Sequence, residues 1–197
     1  MTAFLEAHNI HRSYGRALNL QVNEVSVGSG QVLSVLGPSG AGKSTLLRIL
    51  GLLEAPDAGE ISIQGKRVTH RSLRVRRRIA TVLQSSPLWS GTVISNVEFG
   101  LRIRGVGGRE RRALAEQALN EVGLAGLEER PVAEISGGQA QRVGLARALA
   151  VEPEMLLLDE PLAHIDEPLR ENLAFDLRKY TQRTGCTTLW VTHDRAE

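Results

Sequence analysis

Gly37-Pro38-Ser39-Gly40-Ala41-Gly42-Lys43-Ser44-Thr45 fits the pattern G-x-x-x-x-G-K-[ST], and its reading decides the fold. The residues before it, Gln31 to Leu36, read as a short buried strand. Those after it, from Lys43 to Leu53, carry Leu46, Leu47, Ile49 and Leu50 in helical rhythm. A strand, a glycine-rich loop and a helix start gather backbone N–H groups around one point, and that point attracts a triphosphate. Gly37, Gly40 and Gly42 let the backbone approach phosphate without a Cβ in the way. Lys43 supplies a compact charge for the β- and γ-phosphates, and Ser44 a hydroxyl for Mg²⁺.

Composition sharpens the reading of Lys43. Of 24 Lys plus Arg residues, only Lys43, Lys66 and Lys179 are lysines. A flexible point charge suits a phosphate cradle better than a planar guanidinium does. The 197 residues suffice for one domain with a substantial core, and 42% hydrophobic with 23% charged residues is ordinary for a soluble fold. No apolar run approaches 18 residues and the first residues lack a basic-then-apolar leader, so neither a membrane span nor a signal peptide is expected. Cys186 stands alone, which excludes an internal disulfide and suits a cytosolic setting. A net charge of +2 gives no reason to expect nucleic acid as a partner. One basic cluster, Lys66, Arg67, Arg71, Arg74, Arg76, Arg77 and Arg78, reads as a solvated loop and strand edge, or as a contact for phosphate, anionic lipid or an acidic partner.

Working outward, residues 3–14 and 17–27 alternate loosely and predict antiparallel strands. A turn at Pro56-Asp57-Ala58-Gly59 leads to a strand over 60–64, and Ile79 to Leu83 predicts a strand of a parallel sheet. Residues 92–104 and 109–122 predict helices separated by Gly105, Gly107 and Gly108, the second with Leu114, Ala118, Leu119 and Val122 on one face. A helix over 138–150, an apolar strand over 155–158, a helix over 167–183 and a strand over 187–192 follow. The alternation predicts an α/β fold: a P-loop core with a mainly parallel sheet, an N-terminal antiparallel β subdomain and an inserted α-helical subdomain. The expected division is 1–90 for the β subdomain and phosphate-loop core, 91–150 for the helical subdomain, and 151–197 for the second part of the core.

Met155-Leu156-Leu157-Leu158-Asp159-Glu160 is an apolar strand ending in two carboxylates, at the end where α/β sheets hold ligands. Asp159 can hold Mg²⁺, directly or through water, and Glu160 can polarise a water aimed at the γ-phosphate. Strand alternation points the two side chains apart, so different roles are natural. Ile135-Ser136-Gly137-Gly138-Gln139-Ala140-Gln141-Arg142 opens another helix with small residues, a second anion site carrying about half a positive charge.

With that second site the chain resembles the nucleotide-binding subunit of an ABC transporter, over essentially its whole length. The run Ser136-Gly137-Gly138-Gln139 is the signature of those ATPases, with Ile135 where Leu is usual. The resemblance implies ATP and Mg²⁺ as cofactors and nucleotide contact by Ser136, Gly137, Gly138 and Gln139. Tyr14 matches the aromatic that stacks on adenine, Gln84 the glutamine that reaches Mg²⁺ and the attacking water, and His193 the histidine that contacts the γ-phosphate and orients Glu160. The loop from Gln84 through Trp89 resembles the part that touches the membrane subunit. Ala163-His164-Ile165-Asp166 stands where Ser-Ala-Leu-Asp is usual.

The resemblance further implies a homodimer packed head to tail, with each ATP held between the phosphate loop of one copy and the Ser136 helix of the other. The implied partners are integral membrane permease subunits and an extracytoplasmic substrate-binding protein. The implied location is the cytoplasmic face of the membrane. Gln84 to Trp89 and Asn96 to Leu101 look most like importers of oxyanions such as tungstate, molybdate, phosphate or sulfate, with amino-acid importers next. Two rivals are disfavoured. DNA-repair relatives carry a long coiled-coil insertion that the spacing from Gln84 to Ser136 does not accommodate, and a phosphate-loop kinase has no use for the Ser136 helix. Related subunits continue beyond the position of Glu197, so a C-terminally truncated chain is expected.

Overall fold

A computed structural model describes residues 3–15, 18–84, 87–163, 165 and 167–193. The chain divides into two compact units, one made of Met1–Thr81, Glu154–Glu160 and Tyr180–Glu197, the other of Val82–Pro153 and Pro161–Lys179.

In the first unit, strands β1 (Ala3–Ser13), β2 (Asn19–Gly28), β4 (Ala58–Ile63) and β5 (Lys66–Val68) form a four-stranded sheet in the order β2-β1-β4-β5. All three pairings are antiparallel, with Leu5 opposite both Val27 and Ile63. Leu5 and Ala7 are buried, but the next buried residue is Ile10, one position out of phase. The phase change falls at Asn9, whose φ is 51°, within the register shift between His8 and His11. Gly59 (φ 98°) lies against that bulge, and a Cβ there would sit 2.5 Å from the Asn9 carbonyl oxygen. Only glycine fits that approach.

A second sheet has the order β3-β8-β7-β6, from β3 (Val32–Leu36), β6 (Ile79–Val82), β7 (Met155–Asp159) and β8 (Thr187–Thr192). β3 with β8 and β7 with β8 pair in parallel. Every residue of β7 and β8 is buried, which is why the sequence reads there as near-continuous apolar runs. The expectation of a buried strand at 31–36 is corrected. β3 is an edge, with Val32 45% and Leu36 52% exposed.

Helix α1 (Lys43–Leu50) follows β3. It stops earlier than the apolar rhythm to Leu53 suggests, because the chain turns at Gly51 and Leu52 adopts a φ of 58°. The basic segment after β5, expected as loop and strand edge, contains one short helical turn, α2 (Leu73–Arg76).

The second unit is helical: α3 (Val93–Arg102), α4 (Gly108–Glu121) and α5 (Gly137–Leu149) pack on one another. Gly108 begins α4 rather than breaking it. The buried face of α4 is Ala115, Ala118 and Leu119, continued by Val122, so Ala115 takes the place expected of Leu114. A long helix, α6 (Glu167–Thr184), precedes β8. Among the described residues no helix is long and apolar enough to cross a membrane.

Candidate nucleotide site

Parallel pairing brings the carboxyl ends of β3, β8 and β7 to one edge of the sheet. β3 runs into the glycine-rich loop, β7 ends on Asp159 with Glu160 next, and β8 is followed by His193. Three distant stretches of sequence thus deliver their polar residues together, at the edge where open α/β sheets bind ligands.

The loop is shaped by Gly40 (φ 80°) and Gly42 (φ 87°), conformations that other residues adopt only under strain. Gly42 is also the N-cap of α1, and no side chain caps that helix. A Cβ on Gly42 would lie 3.0 Å from Leu20 Cδ1. Lys43 is 9% exposed, and its Nζ donates to the carbonyl oxygens of Gly37 (2.7 Å) and Pro38 (2.9 Å). The ammonium is therefore held over the loop, beside an uncapped helix start, a setting made for an anion. A cavity of about 440 Å³ opens here, lined by Leu36, Gly37, Pro38 and His193.

Ser44 is hydrogen-bonded to Asp159, which is 3% exposed. Burial pushes the Asp159 carboxyl above its ordinary value; the Ser44 hydrogen bond opposes this, the charge of Glu160 adds to it, and Arg48 and Lys43 counter it. A hydroxyl and a carboxylate side by side are hard oxygen donors, the kind Mg²⁺ takes together with phosphate oxygens. Glu160 has a φ of 48°, rare for a non-glycine residue, fixed by its N–H donating to the Val191 carbonyl at 2.9 Å. Its Oε1 lies 3.2 Å from Nδ1 of His193, whose side chain is 59% exposed.

Tyr14 follows β1, 39% exposed, and its N–H donates to the Leu18 carbonyl at 2.9 Å. Its hydroxyl donates to Glu54, and the Arg12 guanidinium sits 4.8 Å from the ring centroid. The sequence reading missed this network. Its members come from two stretches about 40 positions apart, and only the fold brings them together.

Gln84 and the Ser136 to Gln139 run belong to the second unit. Gln84 is exposed just beyond β6. Ser136 is the N-cap of α5 and forms a reciprocal capping box: its Oγ accepts from the Gln139 N–H (3.2 Å), and Gln139 Oε1 accepts from the Ser136 N–H (2.9 Å). The box uses the N–H groups of Ser136 and Gln139, and those of Gly137 and Gly138 lie between them in the first turn of α5. The Ser-x-x-Gln spacing was itself a signal for the box. Buried Gln141 donates through Nε2 to the Pro161 carbonyl at 3.2 Å. Asn96, 1% exposed, clamps Trp89, accepting from its N–H (2.8 Å) and donating to its carbonyl (2.9 Å). The Trp89 ring lies 4.3 Å from that of Phe99, with Arg147 4.8 Å from its centroid. Ala163 and Ile165 are described, whereas His164 and Asp166 lie outside the described residues.

Loop, uncapped helix, buried lysine and paired carboxylates define a phosphate-loop nucleotide-binding domain. Residues 20–163 match the ABC transporter family. The chain belongs to that family. It is 44% identical over 195 residues to the Fe(3+) ions import ATP-binding protein FbpC 1 of Haemophilus influenzae, covering 98% of this chain and 59% of that one. It is 43% identical over 198 residues to the sulfate/thiosulfate import ATP-binding protein CysA of Methylococcus capsulatus, covering 98% and 57%. The chain thus spans under two thirds of the length of these relatives. Among solved structures, a dimeric post-hydrolysis state of the ATP-binding cassette MJ0796 bound to ADP and Pi superposes with a TM-score of 0.86 at 33% identity, covering 96% of this chain and 88% of that one.

Proposed function

We propose that this chain is the ATP-hydrolysing part of a membrane importer, working as a pair of copies beneath separate permease subunits. The observation that carries the proposal is the joint placement of Ser44 with Asp159 and of Glu160 with His193 at one sheet edge. Lys43 and the α1 start bind the β- and γ-phosphates of ATP, and Ser44 with Asp159 would hold Mg²⁺. When bound, that ion neutralises charge on the phosphate oxygens. Glu160 orients a water and takes its proton as the water oxygen attacks the γ-phosphorus and the bond to the β-phosphate oxygen breaks. His193 holds Glu160 in place. Tyr14 stacks on the base.

The Gly137 and Gly138 N–H groups of a second copy close the site over the triphosphate. Two helix ends then share its charge with Lys43, so ATP joins the copies and its hydrolysis releases them. The dimeric MJ0796 structure supports this arrangement. The iron and sulfate importers among the relatives support import and an inorganic ion as cargo. The oxyanion reading of Gln84 to Trp89 accords with the sulfate relative, and the ferric relative widens it. An extracytoplasmic binding protein completes the proposed importer, with this chain peripheral on the inner side of the membrane.

The test is phosphate release by the purified chain with Mg²⁺ and ATP. Turnover that falls about 10²-fold or more in Glu160→Gln supports the assignment, and unchanged turnover refutes it.

A further inference from the structure

The Tyr14 ring is held by Glu54 and Arg12, which Asp57 and Arg48 hold in turn, four charged residues that the proposed reaction does not use. Its hydroxyl donates to Glu54 Oε1. Arg12 donates from Nε to the same Glu54 oxygen at 2.8 Å while its guanidinium lies 4.8 Å from the ring centroid. Asp57 grips the other side of Arg12 (Nη1 to Oδ1, 2.5 Å) and accepts from the Ser13 N–H at 2.8 Å. The second oxygen of Glu54 faces Arg48 Nε at 3.4 Å, and the Glu54 N–H donates to the Arg48 carbonyl at 3.3 Å. Arg48 belongs to α1, the helix that the phosphate loop opens, and donates from Nη2 to Thr45 Oγ1 at 3.2 Å. Leu18, whose carbonyl accepts from the Tyr14 N–H, is also close to the loop: with Leu20 it carries the methyl groups nearest to Gly42.

We infer that Glu54 is a positioning residue for the nucleobase platform, fixing the Tyr14 ring through its hydroxyl and registering it against the phosphate-loop helix through Arg48. The Arg12 guanidinium lies 4.8 Å from the ring centroid and Tyr14 stays 39% exposed, so part of the ring remains accessible to a base. Freezing the ring beforehand removes an ordering cost that a free tyrosine would incur when a nucleotide binds. Burial raises the Glu54 carboxyl, but hydrogen bonds from Tyr14 and Arg12 and the charges of Arg12 and Arg48 outweigh it and leave the group below its ordinary value. Glu54 is thus the ionised hub on which the hydroxyl and two guanidiniums converge.

This inference rests on the stacking role of Tyr14, and the experiment separates the two. The full chain and its Tyr14→Ala, Tyr14→Phe, Glu54→Ala and Glu54→Gln variants are titrated by calorimetry with Mg-ATP and with Mg-tripolyphosphate, which has no base. Loss of one stacked base is expected to weaken ATP about 5- to 100-fold in Tyr14→Ala, leaving tripolyphosphate within about twofold. Glu54→Ala is expected to weaken ATP about 3- to 10-fold with tripolyphosphate again unchanged. Glu54→Gln keeps an acceptor for the hydroxyl and recovers part of that loss. Combining Glu54→Ala with Tyr14→Phe is expected to cost less than the sum of the two, because both sever one contact. Equal weakening of both ligands in the Glu54 variants would reduce Glu54 to a structural support of α1 and overturn the inference. So would unchanged or tighter ATP binding in Glu54→Ala beside a weakened Tyr14→Ala. If Tyr14→Ala itself binds ATP like the parent, the platform reading fails first and the role of Glu54 falls with it.

Discussion

Nδ1 of His193 lies 3.2 Å from Oε1 of Glu160, although 32 positions of chain separate the two residues. The parallel pairing of β7 with β8 sets this distance, and the positive φ of Glu160 aims its carboxylate back toward the end of β8. Replacing His193 by Ala is expected to lower the turnover of ATP by about 10- to 10²-fold through a misplaced base. Nucleotide affinity should change far less, because Lys43 and α1 remain. A phosphate-release assay run beside calorimetry checks the split between the two effects.

Lys43 gives the second prediction. Its ammonium is already desolvated over two loop carbonyls, so binding a triphosphate demands little rearrangement. Lys43→Ala is expected to lose at least about tenfold in ATP affinity. Lys43→Arg should not restore it, because a planar fork does not reproduce a point charge between two carbonyl oxygens. Calorimetry with both variants decides.

How much of this was legible beforehand depends on the range of the interactions. The phosphate loop, α1 and the acidic end of β7 are local patterns, and Gly37 to Thr45 and Asp159-Glu160 could be read directly. The exposure of β3 could not, because an edge strand and a central strand share the same apolar composition and only pairing distinguishes them. In α4, a shift of one position exchanged Leu114 for Ala115, an ambiguity that a period of 3.6 leaves when a small and a large apolar residue are adjacent. The Arg12, Glu54 and Asp57 network was out of reach, since each member alone is an ordinary surface charge. The capping box of Ser136 and Gln139 was within reach, since Ser-x-x-Gln at a helix start is its sequence pattern.

Asn96 provides a stability test in the second unit. Its amide is buried and makes hydrogen bonds to the N–H and carbonyl of Trp89 and to the Thr92 carbonyl. Asn96→Ala strands those backbone groups and should destabilise the protein by about 1–3 kcal/mol. Urea unfolding followed by tryptophan fluorescence measures the loss, and the Trp89 signal should become more exposed before the main transition.

The Arg78–Glu154 pair predicts a pH effect. Hydrogen bonds from Arg78 outweigh burial and hold the Glu154 carboxyl below its ordinary value. A depressed folded-state value means that the pair stabilises the fold above the unfolded-state value, near 4, and that this contribution disappears as pH falls through the lower folded one. Glu154→Gln should therefore be less stable than the parent at pH 7, and the difference should shrink toward zero as pH drops from about 5 to 2. Thermal melts across that range give the comparison.

Joining of two copies by nucleotide is the claim on which the mechanism turns, and Glu160→Gln tests it most directly because it should bind ATP without consuming it. Sedimentation of that variant with saturating Mg-ATP is predicted to show a dimer that reverts to monomer when ADP replaces ATP. A variant that stays monomeric while calorimetry shows the site filled with ATP would contradict the account.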